Sequence, residues 1–154
     1  MNFPRLAVAA FAAWVAFVAL GFLVNTVLLA DLYHQHAAVM RPQDQAIRLM
    51  PFAFGLSLVG FFAFSYAYAK GYEGGNGIQE GLRFGVLVGL MLCSFAAVWY
   101  YLSWPASTQL FLAWVIDFIV EFSIFGMIVG AIYKPRPTAT RRGSALSAQP
   151  SAER

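Results

Sequence analysis

The chain has 154 residues, of which 60% are hydrophobic and 11% charged, with a mean hydropathy of +0.67. A soluble domain carries about 25% charged and 45–50% apolar residues, so too few polar groups are present to cover a soluble surface, and lipid is the natural solvent. The net charge of +3 would suit a nucleic acid, but the basic residues mark loops and a tail and form no stripe, which excludes that partner.

Charge-free runs locate the crossings in chain order. The first, Leu6 to Ala30, lies between Arg5 and Asp31. It is far longer than the roughly 7–15 apolar residues of a signal-peptide core, so a retained helix over 6–30 is expected. The loop after it holds Asp31, His34 and His36. These are weak metal candidates, because two histidines and one carboxylate lack a fixed fourth ligand; no metal or other cofactor is expected. The second run, from Leu49, predicts a helix over 49–70. Pro51 falls in its first turn, where a missing amide costs nothing.

Tyr72-Glu73-Gly74-Gly75-Asn76 is turn material. Asn76 with Gln79 resembles a capping box, and Glu80 suits the helix dipole. The next charge-free run, Phe84 to Ile116, is too long for one crossing, which needs about 20 residues. Ser103-Trp104-Pro105-Ala106-Ser107 breaks it, and Ser107 can cap the last helix. Helices over 77–103 and 108–133 result. Lys134-Pro135-Arg136-Pro137 ends the last one, and 134–154 reads as a disordered cytoplasmic tail. The fold class is therefore all-α, a four-helix transmembrane domain over 1–133.

Four crossings put both termini on one side. That side collects Arg5, Lys70, Arg83, Lys134, Arg136, Arg141, Arg142 and Arg154, against Arg41 and Arg48 on the other. The positive-inside rule makes both termini cytoplasmic.

Gly77, Gly81, Gly85 and Gly89 recur every fourth residue, and Cys93 and Ala97 extend the series. Residues four apart share a helix face, and small residues mark contact faces between helices in lipid. The last helix carries Gly126 and Gly130 in a similar setting. Matching Phe84-Gly85 to Gly89 against Phe125-Gly126 to Gly130 puts Gly85 level with Gly130 and Gly89 level with Gly126. Cys93, the sole cysteine, reads as a small packing residue.

Asp117 and Glu121 are four apart near the middle of the last helix. A charge at that depth costs at least about 2.5 kcal/mol, which makes such residues functional candidates. No basic residue is placed to neutralise them; Arg48 and Arg83 are each about 13 Å of helix rise away. The expected partners are neutral: Ser57 at the depth of Asp117, Ser94 at that of Glu121, and Asn25 nearer the outer face. The pair is a candidate proton or cation site, or else a hydrogen-bonded cluster that fixes packing.

Gly81-Leu82-Arg83-Phe84-Gly85-Val86-Leu87-Val88-Gly89-Leu90, with Asp31-Leu32-Tyr33 closing the first helix, resembles a loose group of small bacterial four-helix membrane proteins of unknown function. The resemblance implies a bacterial inner membrane and carries no site residues. Three function classes stay open. An accessory or scaffold protein leads; a small oligomeric proton- or cation-coupled transporter or channel is the alternative. A membrane enzyme is least favoured, for want of a nucleophile–base or metal constellation. The expected partner is the bilayer, with a homo-oligomer or a larger membrane complex open.

Overall fold

The structure, a computed structural model, describes residues 1–135; the expected tail lies, from residue 136 onward, outside the described residues. Four helices are long and apolar enough to cross a membrane: α1 (Phe3–Leu28), α2 (Gln43–Gly71), α3 (Gly77–Ser103) and α4 (Thr108–Ile132). This is an all-α architecture consistent with a multi-pass membrane protein. A short helix, Ala30–Gln35, and a 3-10 turn, Ala37–Val39, join α1 to α2. The start of α1 and the end of α4 meet at one end of the bundle, the terminal end, where the Asn2 side chain donates to the Lys134 carbonyl at 3.3 Å. The opposite end is the loop end.

Helix boundaries reflect local chemistry. Pro4 sits in the first turn of α1, where no intrahelical amide is needed. Asn76 caps α3 by accepting from the Ile78 amide at 3.1 Å, and Ser107 caps α4 by accepting from the Leu110 amide at 3.2 Å. The reciprocal partner at the start of α3 is Glu80, not Gln79. The Glu80 carboxylate reaches back past the cap to the amides of Gly75 and Glu73, tying down the turn that Gly74 forms at a φ of 93°.

One boundary differs from the sequence reading. α2 begins at Gln43, and Pro51 lies inside it rather than in its first turn. A charge-free run measures the apolar portion of a helix, whereas α2 continues through Arg48 and Asp44 toward its polar end. Pro51 brings no amide to the Ile47 carbonyl, a loss that membrane helices tolerate.

α3 lies along α4 and has α4 as its main neighbour, while α1 packs against both α2 and α4. The contact between α3 and α4 is close. A Cβ on Gly77 would overlap the Gly130 carbonyl, one on Gly81 the Gly126 carbonyl, and one on Gly85 the Phe122 carbonyl. A Cβ on Gly89 would come within 2.9 Å of the Ile119 Cα. Backbones meet with no side chains between them, which is how helices gain dispersion contact in lipid. The register differs from expectation by two turns: Gly85 faces Phe122 rather than Gly130, and Gly89 faces Phe118 and Ile119 rather than Gly126. The physical reason is that the short turn 104–107 and the helix ends fix the relative height of the pair. The likeness between two Gly-containing stretches does not.

Between α2 and α4 the backbones stay further apart, and aromatic rings fill the gap. Phe61 stacks edge-on against Phe125 with ring centroids 5.1 Å apart, and Phe64 against Phe122 at 5.8 Å. Phe17 of α1 joins Phe61 and Phe125. Small residues on α1, Ala9, Ala10 and Ala13, are fully buried and let the other helices approach. Nearer the terminal end, Tyr68 and Tyr72 each pack edge-on against Tyr133 and lie tilted against each other. The core thus lies in the terminal half of the bundle. The half of α2 toward the loop end is largely exposed along its apolar surface, at Phe52, Phe54 and Leu56 among others.

Candidate carboxyl site and its surroundings

Asp117 and Glu121 occupy one face of α4, one turn apart. That face also carries Trp114, Phe125 and Val129, whereas the backbone at Phe118 and Ile119, at Phe122 and Ser123 and at Gly126 lies against α3. Glu121 is buried, with 7% of its surface exposed. Its Oε1 has no hydrogen-bond partner among the described residues. Asp117 is half-buried. Buried polar atoms are nearly always bonded, so an unsatisfied carboxylate oxygen calls for a reason.

The three neutral residues expected to satisfy the pair do not. The Ser57 hydroxyl donates to the Phe54 carbonyl at 2.9 Å and accepts from the Trp14 indole at 3.0 Å, so it locks α1 to α2. The Ser94 hydroxyl donates to the Leu90 carbonyl within its own helix. Its neighbour Cys93 points at the Val115 carbonyl, 3.6 Å away. Ser94 therefore lies about six residues of rise, roughly 9 Å, from the level of Glu121. The register shift between α3 and α4 accounts for that displacement. Asn25 donates to the Gly21 carbonyl and accepts from the Tyr33 hydroxyl at 2.7 Å.

Asn25 belongs instead to a short chain of hydrogen bonds on the loop-end side of the carboxyls. The Trp114 indole donates to the Tyr33 hydroxyl at 3.0 Å, and Tyr33 donates on to Asn25. Burial raises the Tyr33 pKa above its ordinary value; the Trp114 hydrogen bond opposes this, and the nearby Asp117 charge adds to the rise. Tyr33 therefore stays a neutral donor. The chain ties the α1–α2 connection to α4 one turn from Asp117. The sequence reading does not single out Tyr33 or Trp114 for this role. The signal available is a tyrosine and an indole, both polar-tipped, at the end of an otherwise apolar stretch.

Toward the terminal end the site is closed. Phe125 and Val129 are fully buried, and the rings of Phe17, Phe61, Phe64 and Phe122 pack around them. One further polar group lies in this plug: Ser65 is fully buried and its hydroxyl has no partner among the described residues. Sequence reasoning passes over it because a lone serine within Phe61-Phe62-Ala63-Phe64-Ser65 reads as a small packing residue.

The loop histidines divide. Asp31 and His34 are exposed. His36 uses both ring nitrogens: Nδ1 bonds the Leu32 carbonyl at 2.7 Å, and Nε2 accepts from the Ser107 amide at 3.1 Å. That second bond requires neutral imidazole with the proton on Nδ1. His36 thus braces the start of α4 and has no nitrogen left for a metal. Among the described residues no group of three or more His, Cys, Asp and Glu side chains is placed to hold a metal ion.

No family model, no curated protein and no solved structure matches this chain.

Proposed function

We propose that the protein is a multi-pass protein of the bacterial inner membrane, both termini cytoplasmic, whose Asp117–Glu121 pair takes up a proton or a small cation from the outer side. One observation carries this reading: Glu121 is buried with an unsatisfied oxygen, while Asn25, Ser57 and Ser94 all bond elsewhere. A purely structural cluster would turn its neutral partners to the carboxyls, since a buried unpaired group costs about 1–3 kcal/mol or more if charged. A site that exchanges a proton or cation keeps acceptor capacity in reserve. The half-buried Asp117 and the polar Tyr33–Trp114 chain lie on the loop-end side, and the aromatic plug lies on the other, which supports entry from the loop end. The Lys and Arg asymmetry makes that end external, and the resemblance to small bacterial four-helix proteins supports the inner membrane.

The test is cation or proton flux into proteoliposomes, with Asp117→Asn and Glu121→Gln as isosteric variants. Both should fold and reach the membrane, and Glu121→Gln should abolish pH-dependent uptake. Carbodiimide, which modifies protonated carboxyls within its reach, should label Glu121 less as pH rises. Wild-type behaviour of both variants with no labelling at any pH would sink this reading. It would leave an accessory or scaffold protein, the reading favoured by the glycine contact between α3 and α4 and by the packed terminal half.

A further inference from the structure

Away from the carboxyl pair, a cavity of about 260 Å³ opens where the end of α2 and the start of α3 diverge. Tyr68 and Phe84 form its back wall, and Tyr68 is held there by donating to the Gly77 carbonyl at 3.0 Å. Glu73, Glu80 and Arg83 line it with their charges, and Leu87 borders it. Glu80 is engaged by the two backbone amides of the turn. Glu73 and Arg83 are both exposed, and among the described residues they form no ion pair with each other.

The cavity straddles a polar boundary. Arg83 is the last charge before the apolar run that begins at Phe84. Leu87, one turn deeper, is 61% exposed on the lipid-facing surface. A guanidinium at the hydrocarbon edge, with an exposed leucine one turn deeper, matches a phospholipid: phosphate at the arginine, acyl chain along the leucine. The volume falls just under the ~300–1,000 Å³ typical of whole-ligand pockets, which suits a headgroup whose chains remain in the bilayer. An anionic lipid is disfavoured, because Glu73 and Glu80 line the same cavity. Among the described residues no side chain engages the Glu73 carboxylate, which instead calls for a positive group beside the phosphate.

We propose that this cavity binds the zwitterionic phosphoethanolamine headgroup of a membrane lipid, with Arg83 on the phosphate and Glu73 on the primary ammonium. The site is independent of the carboxyl pair on α4 and of any transport it supports.

The test is native mass spectrometry of the intact protein released from mixed bilayers of phosphatidylethanolamine, phosphatidylglycerol and phosphatidylcholine. Phosphatidylethanolamine should be retained over the other two. Arg83→Gln and Glu73→Gln should each reduce that retention roughly tenfold or more, the loss of one charge-assisted hydrogen bond. Both residues are exposed, so thermal melting should show folding intact in both variants. Phosphatidylglycerol retained as well as phosphatidylethanolamine, or Glu73→Gln without effect, would overturn the proposal. So would displacement of the lipid by soluble glycerophosphoethanolamine at comparable concentration, because the source would then be a free phosphoester rather than a lipid.

Discussion

Gly81 of α3 and Gly126 of α4 exclude side chains from each other: a Cβ on either would overlap the carbonyl oxygen of the other. Gly77 and Gly130 repeat the relationship one turn away. Gly55 and Gly60 on α2, by contrast, have nothing among the described residues within 4 Å of where a Cβ would stand. Gly81→Ala should therefore destabilise by about 1–3 kcal/mol, the usual range for overpacking. Gly60→Ala should be neutral or mildly stabilising, because alanine is the better helix former. Thermal melts in detergent compare the two; equal melting temperatures would contradict the packing described.

The height of α3 against α4 can be read with the native cysteine. Cys93 lies beside Val115, so Val115→Cys should give a rapid intramolecular cross-link with a short bifunctional reagent. Phe122→Cys, about 10 Å of helix rise away, should not. A Phe122 cross-link forming as readily as the Val115 one would restore the register inferred from the matched glycine stretches.

His36 should matter for stability and not for metal. Replacing it with alanine removes the acceptor of the Ser107 amide and should cost about 1 kcal/mol. Zinc added to wild type should leave the melting temperature unchanged, because a ligand stabilises only by binding the folded state and both ring nitrogens are already engaged. A zinc-dependent rise would refute this use of the ring.

The aromatic plug gives a fourth test. Phe125 is fully buried among Phe17, Phe61 and Phe122. Phe125→Ala should cost about 3–5 kcal/mol. If Glu121 exchanges protons with the loop end, the cavity left beside it should also raise passive proton leak in proteoliposomes. A destabilised variant that stays proton-tight would count against a path through Glu121.

The four long helices are legible in the sequence because a charge-free run of about 20 apolar residues marks a helix long and apolar enough to cross a membrane. The expected spans 77–103 and 108–133 stand against Gly77–Ser103 and Thr108–Ile132. The start of α2 is not legible, because absence of charge reports hydrocarbon and not helix. Facing glycines on α3 and α4 can be named, but their heights cannot be set from likeness of sequence. The same error of height carries to Ser94, which the matched stretches put beside Glu121. Asn25 and Ser57 fail as partners for another reason: depth along a helix says nothing of lateral direction. Each has a nearer partner, Tyr33 and Trp14 respectively.

Two helices contain a wider π turn, α1 at Val24–Leu28 and α3 at Cys93–Ala97. Such a turn is one residue longer than the α turn it replaces, and the faces on either side keep their alignment. Losing one residue from an ordinary helix rotates everything beyond it by about 100°, which would swing lipid-facing side chains inward. Losing one residue within 93–97 only tightens the turn back to α. The chain thus has two places where its length can change by one without disturbing the bundle. Natural variants of this protein should collect single-residue deletions there, and a deletion of Phe95 should insert and fold where a deletion of Leu87 does not.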